Sequence, residues 1–408
     1  MNTKILMAVL FIGTASIIAA KPAIEHHVLN HTATTAPTTN STLTTAALTA
    51  AQQATIEIVF VLDTTGSMGG LINAAKEKIW SIASSMASAK PAPRIKIGLV
   101  AFRDKGDTYV TKTIDLSDDL DSIYAHLIDF RADGGGDTPE SVNQALDDAV
   151  NKVSWSESDN TYKVVFLIGD APPQMHYKDD TPYTTTLAVA AQKGIIINTI
   201  QCGQDPETRQ QWQRIARLNQ GQFFQVAAQG DGVAISTPFD DDIAALSKSL
   251  DDTRLFYGSR QQRSDSAQKK IAADKLHQST SAQSRARRAV FNLSASGKKN
   301  LLGEKELVEA ITTGKASLET LDTDQLPEPI AALPASKRKE AVNHIAAKRT
   351  AITGKLQQLT QKRDHYIKDT LKNKPAATKS LDDQIYNTLR AQAKKHWGET
   401  TFEPTAHY

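Results

Sequence analysis

Asp63-Thr64-Thr65-Gly66-Ser67 places one carboxylate and two hydroxyls, those of Asp63, Thr65 and Ser67, at alternate positions on a turn between an apolar run and an amphipathic segment. A second group of residues, Gly134-Gly135-Gly136-Asp137-Thr138-Pro139-Glu140, is a Gly-rich loop in which Thr138 offers another hydroxyl. A third, Gly169-Asp170-Ala171-Pro172-Pro173, puts the carboxylate of Asp170 at the end of another apolar run. Hard cations such as Mg²⁺ take oxygen ligands in near-octahedral geometry and keep some of their water, so carboxylates and hydroxyls gathered at one point form a sensible half-shell. Taken alone, the first segment reads equally well as a turn closed by Asp63 and a helix capped by Ser67.

The elements needed to bring these segments together are legible as alternating short apolar and longer amphipathic stretches. Strands are predicted over 56–62, 95–102, 109–114, 164–168, 195–201 and 222–226. Helices are predicted over 71–87, 120–130, 141–153, 184–192 and 206–218. Strands flanked by helices imply an α/β fold with a doubly wound, mostly parallel sheet. In such a sheet ligands collect outside the carboxyl ends of the strands. Asp63 and Asp170 then open on one edge, within reach of the Gly-rich loop.

The order Asp-x-Thr-x-Ser, then Gly-Gly-Asp-Thr-Pro-Glu, then Gly-Asp-Ala-Pro after a strand resembles a von Willebrand factor type A domain with a metal-ion-dependent adhesion site. The resemblance covers about 56–226 and is nearest to the branch seen in bacterial envelope proteins and hemicentins, whose first motif reads Asp-Thr-Thr-Gly-Ser-Met, as residues 63–68 do here. It implies that Asp63, Thr65 and Ser67 form the first metal loop, Thr138 the second and Asp170 the third. Gly66, Gly136 and Asp137 would then lie on the rim. Thr65 replaces the commoner serine and keeps the hydroxyl. The implied cofactor is Mg²⁺, with Mn²⁺ or Ca²⁺ as substitutes, and the implied partner is a protein whose Asp or Glu carboxylate completes the ion's shell.

That resemblance favours a binding module over an enzyme. The alternative is a metal-assisted hydrolase or phosphotransferase, since an oxygen-bound cation also activates water. Aspartyl-phosphate chemistry on a similar topology requires a second carboxylate two residues after the first, where this chain has Thr65. A third reading makes the C-terminal helices the functional part and the front domain their regulator.

Composition and charge place the domains. The chain has 408 residues with a formal net charge of +2, so nothing global calls for nucleic acid or an anionic membrane. Residues 55–230 carry 16 Lys+Arg against 22 Asp+Glu, and residues 231–408 carry 29 against 22, which makes the front acidic and the back basic. Residues 1–20 combine Lys4, an apolar run over 5–12 and small residues before Lys21, the pattern of a secretory signal peptide, with an N-terminal membrane anchor as the alternative. Export to a periplasm or to the medium is the expected destination, with no span in the mature chain. Residues 21–54 read as a Thr/Ala/Ser-rich linker. After the domain at 55–230, a helical region is expected over 231–335, including one long helix from about 239 to 291. A helical hairpin or coiled coil is expected over 336–408, striped by Val342, Ile345, Ile352, Leu356, Leu359 and Tyr366 and able to oligomerise.

Other candidates read as structural. The lone Cys202 is a small buried residue, Asp104, Asp107, Asp118, Asp119 and Asp121 form a solvated acidic face, and Arg285, Arg287 and Arg288 form a solvated basic one. His176 is an exposed loop residue near the site.

Overall fold

A computed structural model describes residues 54–87, 89–135, 138–227, 235–372 and 381–398. The segments read as signal peptide and most of the linker therefore lie outside the described residues, as do Gly136 and Asp137. Six strands form one sheet: β1 (Thr55–Asp63), β2 (Arg94–Phe102), β3 (Thr111–Ser117), β4 (Thr161–Gly169), β5 (Ile195–Cys202) and β6 (Phe223–Val226). Their order is β3-β2-β1-β4-β5-β6, all parallel except β3, which runs antiparallel to β2.

The central strands are apolar on both faces, as strands covered by helices on both sides must be. Ile56, Ile58, Phe60 and Leu62 of β1 join Tyr162, Val164, Phe166 and Ile168 of β4 in one core. The alternate residues Val59, Val61, Val165 and Leu167 enter the other. The second face is covered by α3 (Val142–Asn151), α4 (Tyr183–Gln192) and α5 (Pro206–Leu218), the first by α1 (Gly69–Ala87) and α2 (Leu120–Asp129). The chain leaves β1 toward β2 on one side, and β4 flanks β1 on the other. The crevice beyond the carboxyl ends of β1 and β4 is thus the point where the strand order reverses, the usual ligand position in such sheets.

Beyond 235 the described residues contain helices and no strand of the sheet. The expected long helix from 239 to 291 is instead three: α6 (Asp240–Asp251), α7 (Arg260–Ser279) and α8 (Ala282–Leu293). The breaks have local causes. Gly258 has φ +115°, Ser259 opens α7 with a capping box, and Ser281 caps α8 by accepting from the backbone N–H of Ser284. There follow α9 (Gly297–Leu302), α10 (Leu307–Thr312), α11 (Glu328–Ala331), α12 (Ala335–Lys372) and α13 (Leu381–Trp397).

These helices pack directly on those of the sheet. Trp80 of α1 lies between Tyr124 of α2 and Phe291 of α8, with ring centroids 5.5 and 5.8 Å away. The apolar stripe of α12 buries Val342, Ile352 and Leu356 against α6, α8, α10 and α11, while Tyr366 is exposed. The last two helices do not run against each other as the hairpin expectation required. α13 sets Ile385, Leu389 and Ala393 into the core shared with α1. Its Gln392 accepts from Tyr162 Oη at 2.5 Å and exchanges hydrogen bonds with the Asn198 amide at 3.1 and 2.9 Å. These bonds tie α13 to Tyr162 of β4 and Asn198 of β5. No helix among the described residues is long and apolar enough to cross a membrane.

Candidate metal centre

Asp63 is the last residue of β1 and is only 1% exposed. Its Oδ1 accepts from the backbone N–H of Thr65 at 2.9 Å and from Thr65 Oγ1 at 2.7 Å. Its Oδ2 is buried and has no hydrogen-bond partner. The turn reading of Asp63 thus accounts for one oxygen and leaves the other unexplained. The capping reading of Ser67 does not hold: Ser67 lies within a single 3-10 turn, and among the described residues its hydroxyl meets only Thr65 Oγ1, 3.3 Å away.

Thr65 gives its hydroxyl proton to Asp63, which leaves its oxygen lone pairs for another group. Adjacent ligands of an octahedral ion with bonds of about 2.1 Å lie roughly 3 Å apart, close to the spacing between Thr65 and Ser67. Thr65, Gly66, Ser67, Thr138 and Asp170 all line one cleft of about 430 Å³. All five candidate ligands are therefore brought together, Asp63 through its bond to Thr65. The donor set is two carboxylates and three hydroxyls. Among the described residues no cluster of three or more His, Cys, Asp or Glu side chains is arranged to hold a metal.

Three loops are stitched into a rigid frame around this point. Thr64 donates its N–H and its hydroxyl to Phe102 O, both at 2.9 Å. Thr64 O accepts from Asp133 N–H at 3.1 Å, and Gly66 N–H donates to Gly134 O at 3.2 Å. Gly135, with φ +74°, passes so close to Thr65 that a Cβ there would lie 2.8 Å from Thr65 Cβ. Its N–H donates to Asp107 Oδ2 at 3.0 Å. The Gly-rich segment is thus held in place, and its glycines serve close approach. Glu140 N–H donates to Pro172 O at 3.0 Å, and Glu140 O accepts from Gln174 N–H at 2.7 Å, which ties the second loop to the third. Gly169 permits the last approach, since a Cβ there would lie 3.0 Å from Asp63 Oδ2.

The electrostatics of this frame are unbalanced. Burial raises the Asp63 carboxyl to about 7 against the lowering influence of Thr65's two donors, and repulsion from Asp170 adds to the rise. Glu140, 4% exposed, is pushed to about 8 by burial and by repulsion from Asp63, Asp104, Asp170 and Asp107, and its Oε2 also has no partner. Among the described residues that line the cleft there is no Lys, Arg or His.

Glu140 is a functional candidate that the sequence reading quoted without using. Nothing in a Thr-Pro-Glu tripeptide tells that its carboxylate is folded back into the cleft. The acidic cluster is a correction. Asp104 is buried and accepts from Ser141 Oγ and Tyr177 Oη, both at 2.8 Å, and Asp107 pins the Gly-rich loop. Asp118 pairs with Arg94 and Lys299, Asp119 caps α2, and Asp121 is fully buried against Arg288, so these residues are not a solvated face. Arg288, expected on a solvated basic face, is 0% exposed. His176 is exposed and bonded to Gln174, and Cys202 is buried, with its thiol pushed well up by burial.

A family model described as von Willebrand factor A domain matches residues 57–238. The chain carries a von Willebrand factor A domain. Von Willebrand factor A domain-containing protein 7 of Rattus norvegicus is 42% identical over 88 residues, 22% of this chain and 9% of that protein. An ariadne-like RING finger protein of Acanthamoeba polyphaga mimivirus is 30% identical over 128 residues, 31% of this chain and 12% of that one. The chain thus spans about a tenth of the length of these relatives. Among solved structures, proximal thread matrix protein 1 of the mussel byssus aligns with a TM-score of 0.34 at 16% identity, covering 43% of each chain. The VWA domain of SpRpn10 aligns with a TM-score of 0.33 at 12% identity, covering 43% of this chain and 89% of that one. The byssus protein has also been solved with zinc in its metal-ion-dependent adhesion site.

Proposed function

We propose that this chain is an exported adhesion or adaptor protein, acting in a periplasm or outside the cell, that binds an acidic group of a protein partner through a divalent cation. The observation that carries the reading is Asp63 Oδ2, buried and unpartnered beside a cleft that collects Thr65, Ser67, Thr138 and Asp170. An ionised carboxylate left so is costly unless a cation arrives. Asp63, Thr65, Ser67, Thr138 and Asp170 would hold Mg²⁺, with Mn²⁺ or Ca²⁺ as substitutes. The bound ion would supply a Lewis-acidic position open to an incoming carboxylate. The residues of the chain would fix its orientation: Asp63 keeps Thr65 in place, and the glycines at 134, 135 and 169 let the loops close on it.

Binding without turnover is the reading we favour, because the second carboxylate of aspartyl-phosphate enzymes is replaced by Thr65. One observation favours metal-assisted hydrolysis as a second reading: Glu140 puts a carboxyl group in the cleft with one oxygen unpartnered. Release of phosphate from simple esters by the Mg²⁺-loaded protein, lost in Glu140→Gln, would select it.

The test of the first reading is the melting temperature of the purified chain in chelator and in millimolar Mg²⁺ or Mn²⁺, beside Asp63→Ala and Asp170→Ala. A metal-dependent rise confined to the unaltered chain is expected. An equal rise in all three proteins would overturn it.

A further inference from the structure

The charges of α12 are answered unevenly. No Asp or Glu stands between Glu340 and Asp364, a stretch that holds Lys348, Arg349, Lys355, Lys362 and Arg363. The fold meets the two arginines from other segments: Glu306 lies 2.9 Å from Arg349, and Asp240 of α6 lies 2.9 Å from Arg363. It does not meet the lysines. Lys348, Lys355 and Lys362 are exposed, and among the described residues none of them forms a hydrogen bond or an ion pair. Their neighbours three and four positions away on the helix include no acid, so the local pairing that joins Lys248 to Asp252 and Lys337 to Glu340 is not open to them.

Seven residues take an α-helix through almost two turns and about 10 Å. The three lysines therefore stand in one line along one side of α12, over about 20 Å. The line ends at a groove of about 710 Å³ whose described lining includes Phe239, Gln358, Gln361, Lys362, His365 and Tyr366. Tyr366 is 42% exposed, and its ring stands at 86° to that of Phe239 with centroids 6.4 Å apart. The one carboxylate in that lining, Asp369, lies 3.1 Å from His365.

Each part of this surface selects a partner. An aromatic face carries negative charge density that receives the polarised C–H groups of a sugar ring. Glutamine amides offer a donor and an acceptor together, the combination that adjacent hydroxyls require. Uncompensated lysines in a line attract a linear polyanion. Their spacing would meet only about every third phosphate of a nucleic-acid strand, but it suits an acid group on alternate sugars. A bilayer would be held by inserted apolar side chains as well as by charge, and every described Leu, Ile and Val side chain of α12 is buried or half-buried.

We infer that α12 binds an acidic polysaccharide: one sugar sits against Tyr366 in the groove beside Phe239, and acid groups farther along the glycan pair with Lys362, Lys355 and Lys348. The surface requires neither the metal nor its cleft and gives the chain a second binding activity.

The experiment measures binding of the purified full chain to hyaluronan oligosaccharides, in which a uronic acid alternates with a neutral sugar, with chelator present so that no carboxylate is held through a metal. Uncharged chitin oligosaccharides, phosphatidylglycerol vesicles and single-stranded DNA are run beside them. Hyaluronan is expected to bind in preference to all three, and less tightly as salt is raised. Lys348→Gln, Lys355→Gln and Lys362→Gln combined, checked for an unchanged melting temperature, should bind about tenfold or more weakly, whereas Lys348→Arg, Lys355→Arg and Lys362→Arg combined should bind as the parent does. Tyr366→Ala should weaken binding without lessening its salt dependence, and Tyr366→Phe should preserve it. Asp63→Ala should bind hyaluronan as the parent does, so the metal-site reading and this one fail separately. No binding of hyaluronan, or unaltered binding in the triple glutamine variant, would overturn the inference. Equal or tighter binding of the vesicles or of the DNA would overturn it in favour of a membrane or a nucleic acid.

Discussion

Asp63 and Asp121 are equally buried, at 1% and 0% exposure, yet the fold treats them in opposite ways. Asp121 sits at the start of α2 and receives Arg288 of α8 in two parallel hydrogen bonds, 2.7 and 2.6 Å long. Arg288 also reaches Asp251 of α6 at 2.7 Å, and Asp251 in turn meets His277 of α7 at 2.7 Å. Asn300 of α9 closes the group with bonds to Asp121. Five helices meet in this group, and the charge of Arg288, joined at Asp251 by that of Arg254, holds both carboxyls below their usual range against the opposing effect of burial. Asp63 has two hydrogen-bond donors from Thr65, a further lowering influence from the Asp170 backbone N–H and, among the described residues, no cation, and burial raises its carboxyl instead. A chain able to build the Arg288 group had the means to neutralise Asp63. The contrast teaches that the second cluster leaves room for a charge from outside.

The largest test breaks the paired cluster. Arg288→Met leaves Asp121 and Asp251 buried without their shared cation and is expected to destabilise the protein by about 3–5 kcal/mol in urea unfolding. Adding Asp121→Asn should recover part of that loss, whereas adding Asp251→Asn should not, because it would leave the buried Arg254 guanidinium, 3.4 Å from Asp251, without its carboxylate. A small effect of Arg288→Met alone would mean that water reaches the cluster.

The two clusters also predict opposite limbs of a stability–pH curve for the metal-free protein. The folded-state carboxyl of Asp63 is raised from 3.8 to about 7. The folded state therefore keeps a proton that the unfolded chain has lost, and stability falls as pH rises through that window, by at most about 1.4 kcal/mol per unit. Asp121 and Asp251 are depressed, so their contribution is present above the ordinary carboxylate range and is lost as pH falls through and below it. Chemical unfolding from pH 3 to pH 8 should show both limbs. Asp63→Asn should reduce the upper limb and spare the lower one, leaving the part that comes from Glu140, whose carboxyl is raised from 4.5 to about 8; an unchanged upper limb would remove the contrast.

Metal should invert the upper limb, because the ion binds the deprotonated carboxylate. At about 100 times its dissociation constant an ion stabilises by about 2.7 kcal/mol. Asp63→Asn should lose that gain while being no less stable than the parent in chelator at pH 7.5. A variant that is much weaker in chelator would show Asp63 to be a structural turn residue first.

The same contrast explains what was legible in the sequence. Asp63, Thr65 and Ser67 lie within five residues, and the strand pattern places Asp170 on the same sheet edge, so both the fold of the front domain and this constellation could be read from local pattern. The Arg288 group could not, because its partners stand 167 and 37 residues away and look like surface charges in isolation. Glu140 was hidden for a related reason: its role depends on backbone bonds to Pro172 and Gln174, which composition does not encode. The helices after 235 show the same limit. Ser259 and Ser281 are recognisable caps, but a weakly apolar segment gave no reason to stop a helix at either.

The smallest test concerns the glycines that let the unpaired cluster form. Gly135 and Gly194 both have positive φ, +74° and +69°, so alanine at either is strained by about 1 kcal/mol. They differ in surroundings. A Cβ at Gly194 meets nothing within 4 Å, whereas one at Gly135 lies 2.8 Å from Thr65 Cβ and 3.0 Å from its Cγ2. Gly194→Ala should therefore lower the melting temperature and leave the metal-induced rise intact. Gly135→Ala should cost somewhat more, roughly 1–3 kcal/mol, and should also diminish the rise, because Thr65 must move and the hydroxyl that it holds between Asp63 and Ser67 moves with it. Equal metal responses in the two variants would show that the loop tolerates the shift and that the site's rigidity lies in the links from Glu140 to Pro172 and Gln174 instead.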